Sequence, residues 1–200
     1  MCFAPANACE IWYIFLQIGY IYLRAGTHVS TMLPVRMTSA GGAGRERGDP
    51  MALLDNDHVI LDCTATARDE TLDLAAQKAA ELGIGADAST LAEALKAREA
   101  EGSTGMMGGF AIPHCKCAEV ADPCIVVLRF AEPVKWETMD KAPVKVAVAL
   151  FIPDGERGTE HLRILSKLAV MVSDANFCSS VFDAAEASQV VDAINAGLEQ

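Results

Sequence analysis

The residue of this sequence best suited to nucleophilic chemistry is His114, because of the ten residues that precede it. A neutral imidazole nitrogen is nucleophilic near pH 7 and can accept a phosphoryl group and release it again. The run from Thr104 to Pro113 is rich in glycine, so its backbone can turn sharply and bring N–H groups close to an anion. Pro113 fixes its own φ and favours extended geometry at Ile112, so we predict a short strand that stops at Pro113 and His114. The alternative is a histidine that merely ends a strand.

Two other side chains, Arg98 and His161, could assist such a histidine. Arg98 lies a few residues before the glycine-rich turn and could make a charge-assisted, bidentate contact with a phosphoryl group. His161 falls in the first turn of a predicted helix, where free N–H groups and the positive end of the helix dipole favour phosphate. The alternatives are a surface arginine paired with a carboxylate one turn away and a polar helix residue turned to solvent.

The turn itself contributes three candidate phosphate-binding residues, Ser103, Thr104 and Gly105. The two hydroxyl groups could donate hydrogen bonds to phosphoryl oxygens, and the glycine lets the backbone approach an anion closely. Either hydroxyl could instead cap the turn, which is a common role of serine and threonine.

A metal site is the main alternative use of these residues. Cys115 and Cys117 flank Lys116 directly after His114, and Cys124 and His161 are further candidate ligands. Zinc sites usually bring ligands in C-x₂₋₄-C or H-x₃₋₅-H pairs, and C-x-C beside a histidine has poor geometry for one ion. We therefore expect neither a metal nor a cofactor, and we interpret the thiols as small side chains that fill strand positions.

Residue patterns predict the elements that position these side chains. Apolar runs and alternation predict strands over residues 58–64, 124–130 and 144–151. Three predicted helices have their N-caps at Thr66, Thr90 and Thr159 and end near Gly83, Gly102 and Val172, and a fourth begins at Ala187 and ends near Leu198. A turn is predicted over residues 153–155, and the connector over 136–140 is interpreted as packing and turn. Strands interleaved with helices predict an α/β fold, a single layered domain with a mixed β-sheet flanked by helices.

We predict that this domain spans residues 51–200, because residues 1–50 have a different composition. Residues 11–23 are strongly apolar, but they are too few for a membrane span of about 20 residues, and no basic residue of a signal peptide precedes them. Residues 39–50 are typical of a linker. We interpret residues 1–50 as a disordered extension or the product of a start site assigned upstream of Met51. The competing interpretation is an anchor at a membrane surface.

The charge of the chain is concentrated in the predicted domain. The formal net charge is −11, and residues 51–200 contain 12 basic and 24 acidic residues. Such a surface repels phosphate backbones and anionic membranes, which excludes nucleic acid and stable membrane insertion and favours a basic protein face as partner. The seven cysteines are irregularly spaced and odd in number, which indicates reduced thiols in a cytoplasmic protein.

Three separate motifs resemble the mannitol/fructose-type IIA proteins (EIIA type 2) of the bacterial phosphoenolpyruvate-dependent sugar phosphotransferase system. Residues 103–114 resemble that family's pattern S-T-G-I-G-x-G-x-A-I-P-H, which ends on the phosphorylated histidine, although Met107 stands where glycine is usual. Arg98 and Glu99 match an Arg-Glu pair, and residues 161–169 match H-L-x-x-L-S-x-L-A. The resemblance covers nearly all of residues 54–198.

The resemblance implies a phosphocarrier. His114 would accept a phosphoryl group from phospho-HPr and pass it to a IIB component, a separate chain, during uptake of a fructose- or mannitol-class sugar. His161 would lie beside His114, and both His161 and Arg98 would contact the phosphoryl group. The alternatives are a nitrogen-related regulatory IIA protein and an interaction module of the same fold that transfers nothing.

Overall fold

The computed structural model describes residues 53–85, 87–154 and 160–199 of the chain. Within these ranges the strands are β1 (Val59–Cys63), β2 (Phe110–Ala111), β3 (His114–Cys117), β4 (Cys124–Val134) and β5 (Val144–Pro153). The helices are α1 (Arg68–Glu81), α2 (Ala88–Glu101), α3 (Glu160–Met171), α4 (Ala175–Phe182) and α5 (Ala187–Glu199). The predictions for residues 1–50 and for Thr159 lie outside the described residues and stay predictions.

The five strands form one mixed sheet. β1 pairs with β4 in parallel, and β4 pairs with β5 in antiparallel fashion. The other edge of β5 pairs in parallel first with β2 and then with β3, so that one long strand holds two short ones. The predicted α/β fold with a mixed sheet is therefore confirmed.

Helices cover the sheet on both faces, which explains why its central strands are almost continuously apolar. Successive residues of β4 point to opposite faces, so Val126 and Leu128 pack toward α1 and α2. Ile125 and Val127 pack toward α3, α4 and α5. Each leucine that is fully buried in these layers contributes on the order of 2 kcal/mol to stability. The result is a three-layer arrangement with one core on each side of the sheet.

The three predicted strands are confirmed, and two of them are longer than expected. β4 continues to Val134, which pairs with Val144 of β5, and β5 continues to Pro153, which pairs with Cys117 of β3. The prediction that two helices end near Gly83 and Gly102 is also confirmed. α1 ends one residue before Leu82, followed by Gly83 with φ of 77°, and Gly102 is the C-cap of α2.

The predicted N-caps of the first two helices are wrong. α1 begins one residue later than expected, after Ala67, and Thr66 instead donates its N–H and hydroxyl to the Glu70 carboxylate. α2 begins at Ala88, because the Asp87 carboxylate accepts the N–H groups of residues 89 and 90. Thr90 therefore lies inside the helix, since a stronger acceptor precedes it.

One helix, α4, was not predicted. It is only eight residues long and follows α3 after a short break. Its N-cap is Asp174, whose carboxylate accepts the N–H groups of Asn176 and Phe177. That aspartate was a local signal for a new helix. Across the described part of the chain, the helices are too short or too polar to cross a membrane.

Candidate functional site

The long strand β5 acts as a template that places His114. β2 is in register with β5 at Phe110 and Val146, and β3 is in register at His114 and Leu150. Between these pairs the Leu150 N–H donates to the carbonyl of Pro113 at 2.9 Å. The prediction that a strand stops at His114 is therefore wrong, because His114 begins β3. Pro113 has no N–H to donate, so the pairing with β5 is interrupted there, and it resumes at His114 in β3.

The two ring nitrogens of His114 have different partners. Nδ1 lies 2.9 Å from the carbonyl oxygen of Ile112, which can only accept, so Nδ1 carries the proton in this contact. The Arg98 Nε–H group donates to Nε2 at 3.0 Å. Only the neutral Nδ1–H tautomer satisfies both contacts. The geometry therefore places a nucleophilic lone pair on Nε2.

Burial, together with the charges of Arg98 and His161, lowers the pKa of His114 to about 4. The hydrogen bond to the Ile112 carbonyl acts in the opposite direction. The imidazole is therefore neutral at physiological pH, which is the state in which its nitrogen is a nucleophile. The residue as a whole is half-buried.

We expect acid to destabilise the protein through His114. Above pH 6.5, the ordinary pKa of the imidazole, the ring is neutral in the folded and unfolded states alike. Between pH 6.5 and 4 the unfolded state binds a proton that the folded state excludes, so stability falls as the pH falls. The expected loss between pH 7 and pH 5 is about 2 kcal/mol. It should be absent in His114→Gln, and urea denaturation of both proteins at the two pH values measures the difference. Equal acid sensitivity of the two proteins would contradict the expectation.

Arg98 lies in the last turn of α2 and is held from two sides. Besides its contact with His114, its Nη1 donates to the carbonyl of Gly102 at 2.9 Å. Burial lowers the pKa of Arg98, opposed by the charges of Glu101 and Glu99, and the guanidinium stays protonated at neutral pH. Two bonds use two of its five N–H donors, which leaves donors for an anion beside Nε2. The alternative of a surface arginine that only pairs with a carboxylate does not describe this residue.

His161 is the second residue of α3, and its side chain is 5% exposed. It lies close enough to His114 to lower the pKa of that ring. The alternative of a polar residue turned to solvent is therefore wrong. Arg98 contacts His114 from α2 on one face of the sheet, and the charge of His161 acts on the same ring from α3 on the opposite face.

The three residues of the turn are hydrogen-bonded within the protein. The Ser103 hydroxyl lies 2.6 Å from the Glu137 carbonyl and accepts the Gly105 N–H at 3.2 Å. Thr104 donates its N–H at 3.0 Å and its hydroxyl at 2.5 Å to one oxygen of Glu99. The alternative in which the hydroxyls cap the turn agrees with this geometry. A direct contact of Ser103, Thr104 or Gly105 with phosphate stays a prediction.

The glycines of the turn have two structural roles. A Cβ on Gly105 would lie 2.2 Å from the Glu137 carbonyl oxygen, so the close approach of two backbones excludes any larger residue. Gly108 and Gly109 have φ of 69° and 85°, in the left-handed region that glycine adopts readily. Met107 lies outside that region, so its side chain requires no strained backbone.

Glu99 was not identified as a site residue from the sequence. Its side chain is 4% exposed, and its carboxylate accepts hydrogen bonds from Thr104 and, at 2.9 Å, from Nε1–H of Trp136. The signal in the sequence was spacing, because Glu99 follows the buried Leu95 by four residues and so lies on the core face of α2.

The cysteines near His114 are buried thiols. The five cysteines in the described ranges are not joined to one another by disulfides, and residues of the described part form no cluster of three or more His, Cys, Asp or Glu that could hold a metal ion. Burial, together with the neighbouring Cys117, raises the pKa of Cys115 to about 12. This thiol is therefore uncharged at neutral pH, which makes it a poor nucleophile and metal ligand.

Comparison with protein families gives one match, over residues 52–197, to the family described as "Phosphoenolpyruvate-dependent sugar phosphotransferase system, EIIA 2". The chain is 29% identical over 144 residues to the PTS system 2-O-alpha-mannosyl-D-glycerate-specific EIIABC component of Escherichia coli, covering 72% of the chain and 22% of that protein. It is 40% identical over 90 residues to the nitrogen regulatory protein of Pseudomonas aeruginosa, covering 45% of the chain and 58% of that protein. The chain thus spans less than two thirds of the length of both relatives.

Solved structures resemble the fold. The nitrogen regulatory protein IIA-Ntr from Neisseria meningitidis superimposes with a TM-score of 0.67 at 31% identity, covering 71% of the chain and 96% of that structure. Enzyme IIA mannitol from Escherichia coli, in complex with phosphorylated enzyme IIB mannitol, gives a TM-score of 0.61 at 14% identity. That match covers 72% of the chain and 97% of the other chain, and at this identity it shows the fold alone.

Proposed function

The chain belongs to the EIIA type 2 family of the phosphoenolpyruvate-dependent sugar phosphotransferase system, and we propose that within it the protein is a phosphohistidine carrier. In this proposal Nε2 of His114 accepts a phosphoryl group from phospho-HPr and passes it to a IIB component during uptake of a sugar. Proteins of this family are phosphotransferase components, and the proposal assigns the transferring atom and the order of the partners.

The observation that carries the proposal is the state of the His114 ring. Nδ1–H is fixed by the Ile112 carbonyl, and Nε2 keeps its lone pair in contact with the Arg98 guanidinium. A phosphoryl acceptor needs a neutral nitrogen and a nearby positive charge that stabilises the three phosphoryl oxygens in the transition state. Arg98 and His114 supply these two requirements within one hydrogen bond of each other.

The transfer step makes one bond and breaks one bond. A bond forms between Nε2 of His114 and phosphorus while the bond from phosphorus to the donor atom of phospho-HPr breaks. The Arg98 Nε–H group occupies the lone pair in the structure described here, so it must move from Nε2 onto the phosphoryl oxygens as the group arrives. His161, which is next to the ring, is proposed to hydrogen bond the same oxygens. In the second transfer a bond forms between phosphorus and the acceptor atom of IIB while the bond between phosphorus and Nε2 breaks, which discharges the histidine.

The charge of the domain supports basic protein partners. Residues 51–200 carry 24 acidic and 12 basic residues, so a positively charged face on HPr or on a IIB component would be attracted toward this surface. Both proposed partners are separate chains. The proposal includes no nucleic acid, metal or cofactor, and it places the protein in the cytoplasm with its thiols reduced.

The proposal is tested by incubating the protein with phosphoenolpyruvate, enzyme I and HPr and measuring its intact mass. We expect one acid-labile phosphate adduct, which disappears when a sugar-specific IIB component is added. Omission of HPr is the control and should leave the mass unchanged. An unmodified protein under the full conditions would show that it carries no phosphoryl group.

A second candidate function is regulation, and the similarity to nitrogen regulatory proteins supports it. The chain is 31% identical to the IIA-Ntr structure over almost all of that protein, but only 14% to 16% identical to the mannitol IIA structures. A nitrogen-related regulatory protein would accept phosphate on His114 and bind a control target instead of feeding transport. The same experiment separates the two functions, because an adduct that persists with every sugar-specific IIB component tested favours the regulatory one.

A further inference from the structure

Glu99 joins three segments of the chain next to Arg98. Its carboxylate accepts the N–H and hydroxyl of Thr104 in the turn that follows α2, and the indole N–H of Trp136 in the connector that follows β4. The Ser103 hydroxyl lies 3.1 Å from the same carboxylate and shares its proton with a carbonyl of the connector. The end of α2, the glycine-rich turn and the connector therefore meet at one buried side chain.

A buried carboxylate of this kind is stable only while its donors stay in place. Removing a carboxylate from water is costly unless hydrogen bonds replace the lost hydration. Hydrogen bonds to an ionised acceptor are also stronger than neutral ones. With Glu99 at 4% exposure, a displacement of Thr104 or Trp136 would leave a buried charge without compensation. The carboxylate therefore holds the local backbone in one arrangement.

That arrangement determines where Arg98 points. The Gly102 N–H donates to the carbonyl of Glu99 at 3.3 Å, and the Gly102 carbonyl in turn accepts from Nη1 of Arg98. The same short turn thus contains Thr104, which binds the Glu99 carboxylate, and Gly102, whose carbonyl binds the Arg98 guanidinium. We propose that Glu99 is a positioning residue, which fixes the turn after α2 so that Arg98 Nε is directed at Nε2 of His114.

A substitution at Glu101 serves as the control that distinguishes a positioning role of Glu99 from an effect of its negative charge. It lies two residues from Glu99, it is exposed, and its negative charge acts on Arg98 more strongly than that of Glu99. Glu101→Gln therefore removes a negative charge near Arg98 without touching the buried hydrogen bonds. Glu99→Gln removes a charge and also replaces one acceptor oxygen with an NH₂ group that faces donors, so the anchor is lost.

The test measures the titration of the His114 ring by NMR, because Arg98 is one of the two charged groups that lower the pKa of this ring, besides its burial. If Glu99→Gln releases Arg98 from the ring, the positive charge beside Nε2 is lost and the pKa of His114 should rise from about 4, while burial still holds it below 6.5. Glu101→Gln should leave the titration within a few tenths of a unit of wild type. A Glu99→Gln variant that is folded and titrates as wild type would overturn the proposal, and so would an equal shift in both variants.

Trp136→Phe keeps the proposal testable if Glu99→Gln does not fold. It removes one donor and leaves the contacts of the carboxylate with Thr104. We expect a smaller rise in the pKa of His114 than in Glu99→Gln. The chain has two tryptophans, Trp12 and Trp136, and the indole N–H signal that is missing from the NMR spectrum of Trp136→Phe is that of Trp136. In Glu99→Gln that indole resonance should shift, and in Glu101→Gln it should not. A Trp136→Phe titration identical to wild type would also overturn the proposal.

The consequence for transfer rests on the proposed function. A guanidinium displaced by about 1 Å can slow a reaction on the order of 10²-fold, so we expect such a loss in the phosphorylation rate of Glu99→Gln and none in Glu101→Gln. If the wild-type protein accepts no phosphate, the proposed function fails, but the titration still decides the role of Glu99. If wild type and Glu99→Gln are phosphorylated at equal rates, the positioning role fails and the carrier function stands.

Discussion

His114→Ala is expected to abolish phosphorylation completely. The substitution removes the atom, Nε2, to which we assign the new bond with phosphorus, and no change of conditions restores it. The intact mass after incubation with phosphoenolpyruvate, enzyme I and HPr should therefore show no phosphate adduct. Arg98 would lose its partner on the ring in this variant, so thermal unfolding should be measured alongside to show that the variant is folded.

Two other histidines serve as controls for this result. His28→Ala changes a histidine outside the described residues and should be phosphorylated at the wild-type rate. His161→Ala removes the neighbouring imidazole and should still reach one adduct, although the rate should fall roughly 10²-fold. A full adduct on His114→Ala would move the phosphorylation site to another residue.

Arg98→Ala is expected to slow phosphorylation by about 10²–10³-fold without changing which residue is modified. The reason is that a fixed positive group directed at the developing charge acts mainly in the transition state. Stopped-flow mixing with excess phospho-HPr measures the rate constant at saturation, where a lower affinity for phospho-HPr no longer affects the rate. Arg98→Lys should recover only part of the rate, since an ammonium cannot form the two parallel bonds of a guanidinium.

The matched control for the arginine is Arg68→Ala. Arg68 is exposed on α1 and forms an ion pair with the neighbouring Asp69 at 2.8 Å. Such surface pairs contribute about 0–1 kcal/mol, so its removal should leave both stability and rate near wild type. Wild-type rates for Arg98→Ala would show that other groups neutralise the phosphoryl oxygens. Equal losses in both variants would indicate an effect of total charge on partner binding instead.

Local sequence determined most of the secondary structure. Alternating or continuous apolar residues predicted β1, β4 and β5, and Gly83 and Gly102 marked the ends of two helices. These signals work because hydrophobic period and backbone freedom are properties of a few adjacent residues. The N-cap predictions also rest on a few adjacent residues, but they were wrong for a specific reason. A serine, threonine or aspartate can each cap a helix, and at α2 the aspartate that precedes two such hydroxyls was the acceptor.

The candidate site was predicted as a set of residues but not as an arrangement. The glycine-rich turn before His114 and the positions of Arg98 and His161 pointed to one phosphate site, and the structure brings these three side chains together. Their roles in transfer stay predictions. The register that makes His114 the first residue of β3 depends on β5, more than thirty residues later in the chain, and a four-residue strand has too little pattern of its own to indicate it.

By itself, then, the sequence determined the class of fold, the apolar faces and the histidine at the centre of the site. Only the tertiary structure decided which nitrogen of that histidine keeps its lone pair, because the choice depends on Arg98 and the Ile112 carbonyl. It also decided that Glu99 meets Trp136 across 37 residues of sequence. Periodicity reports which side of an element is buried, whereas hydrogen bonds between distant segments exist only after the sheet and its helices have packed.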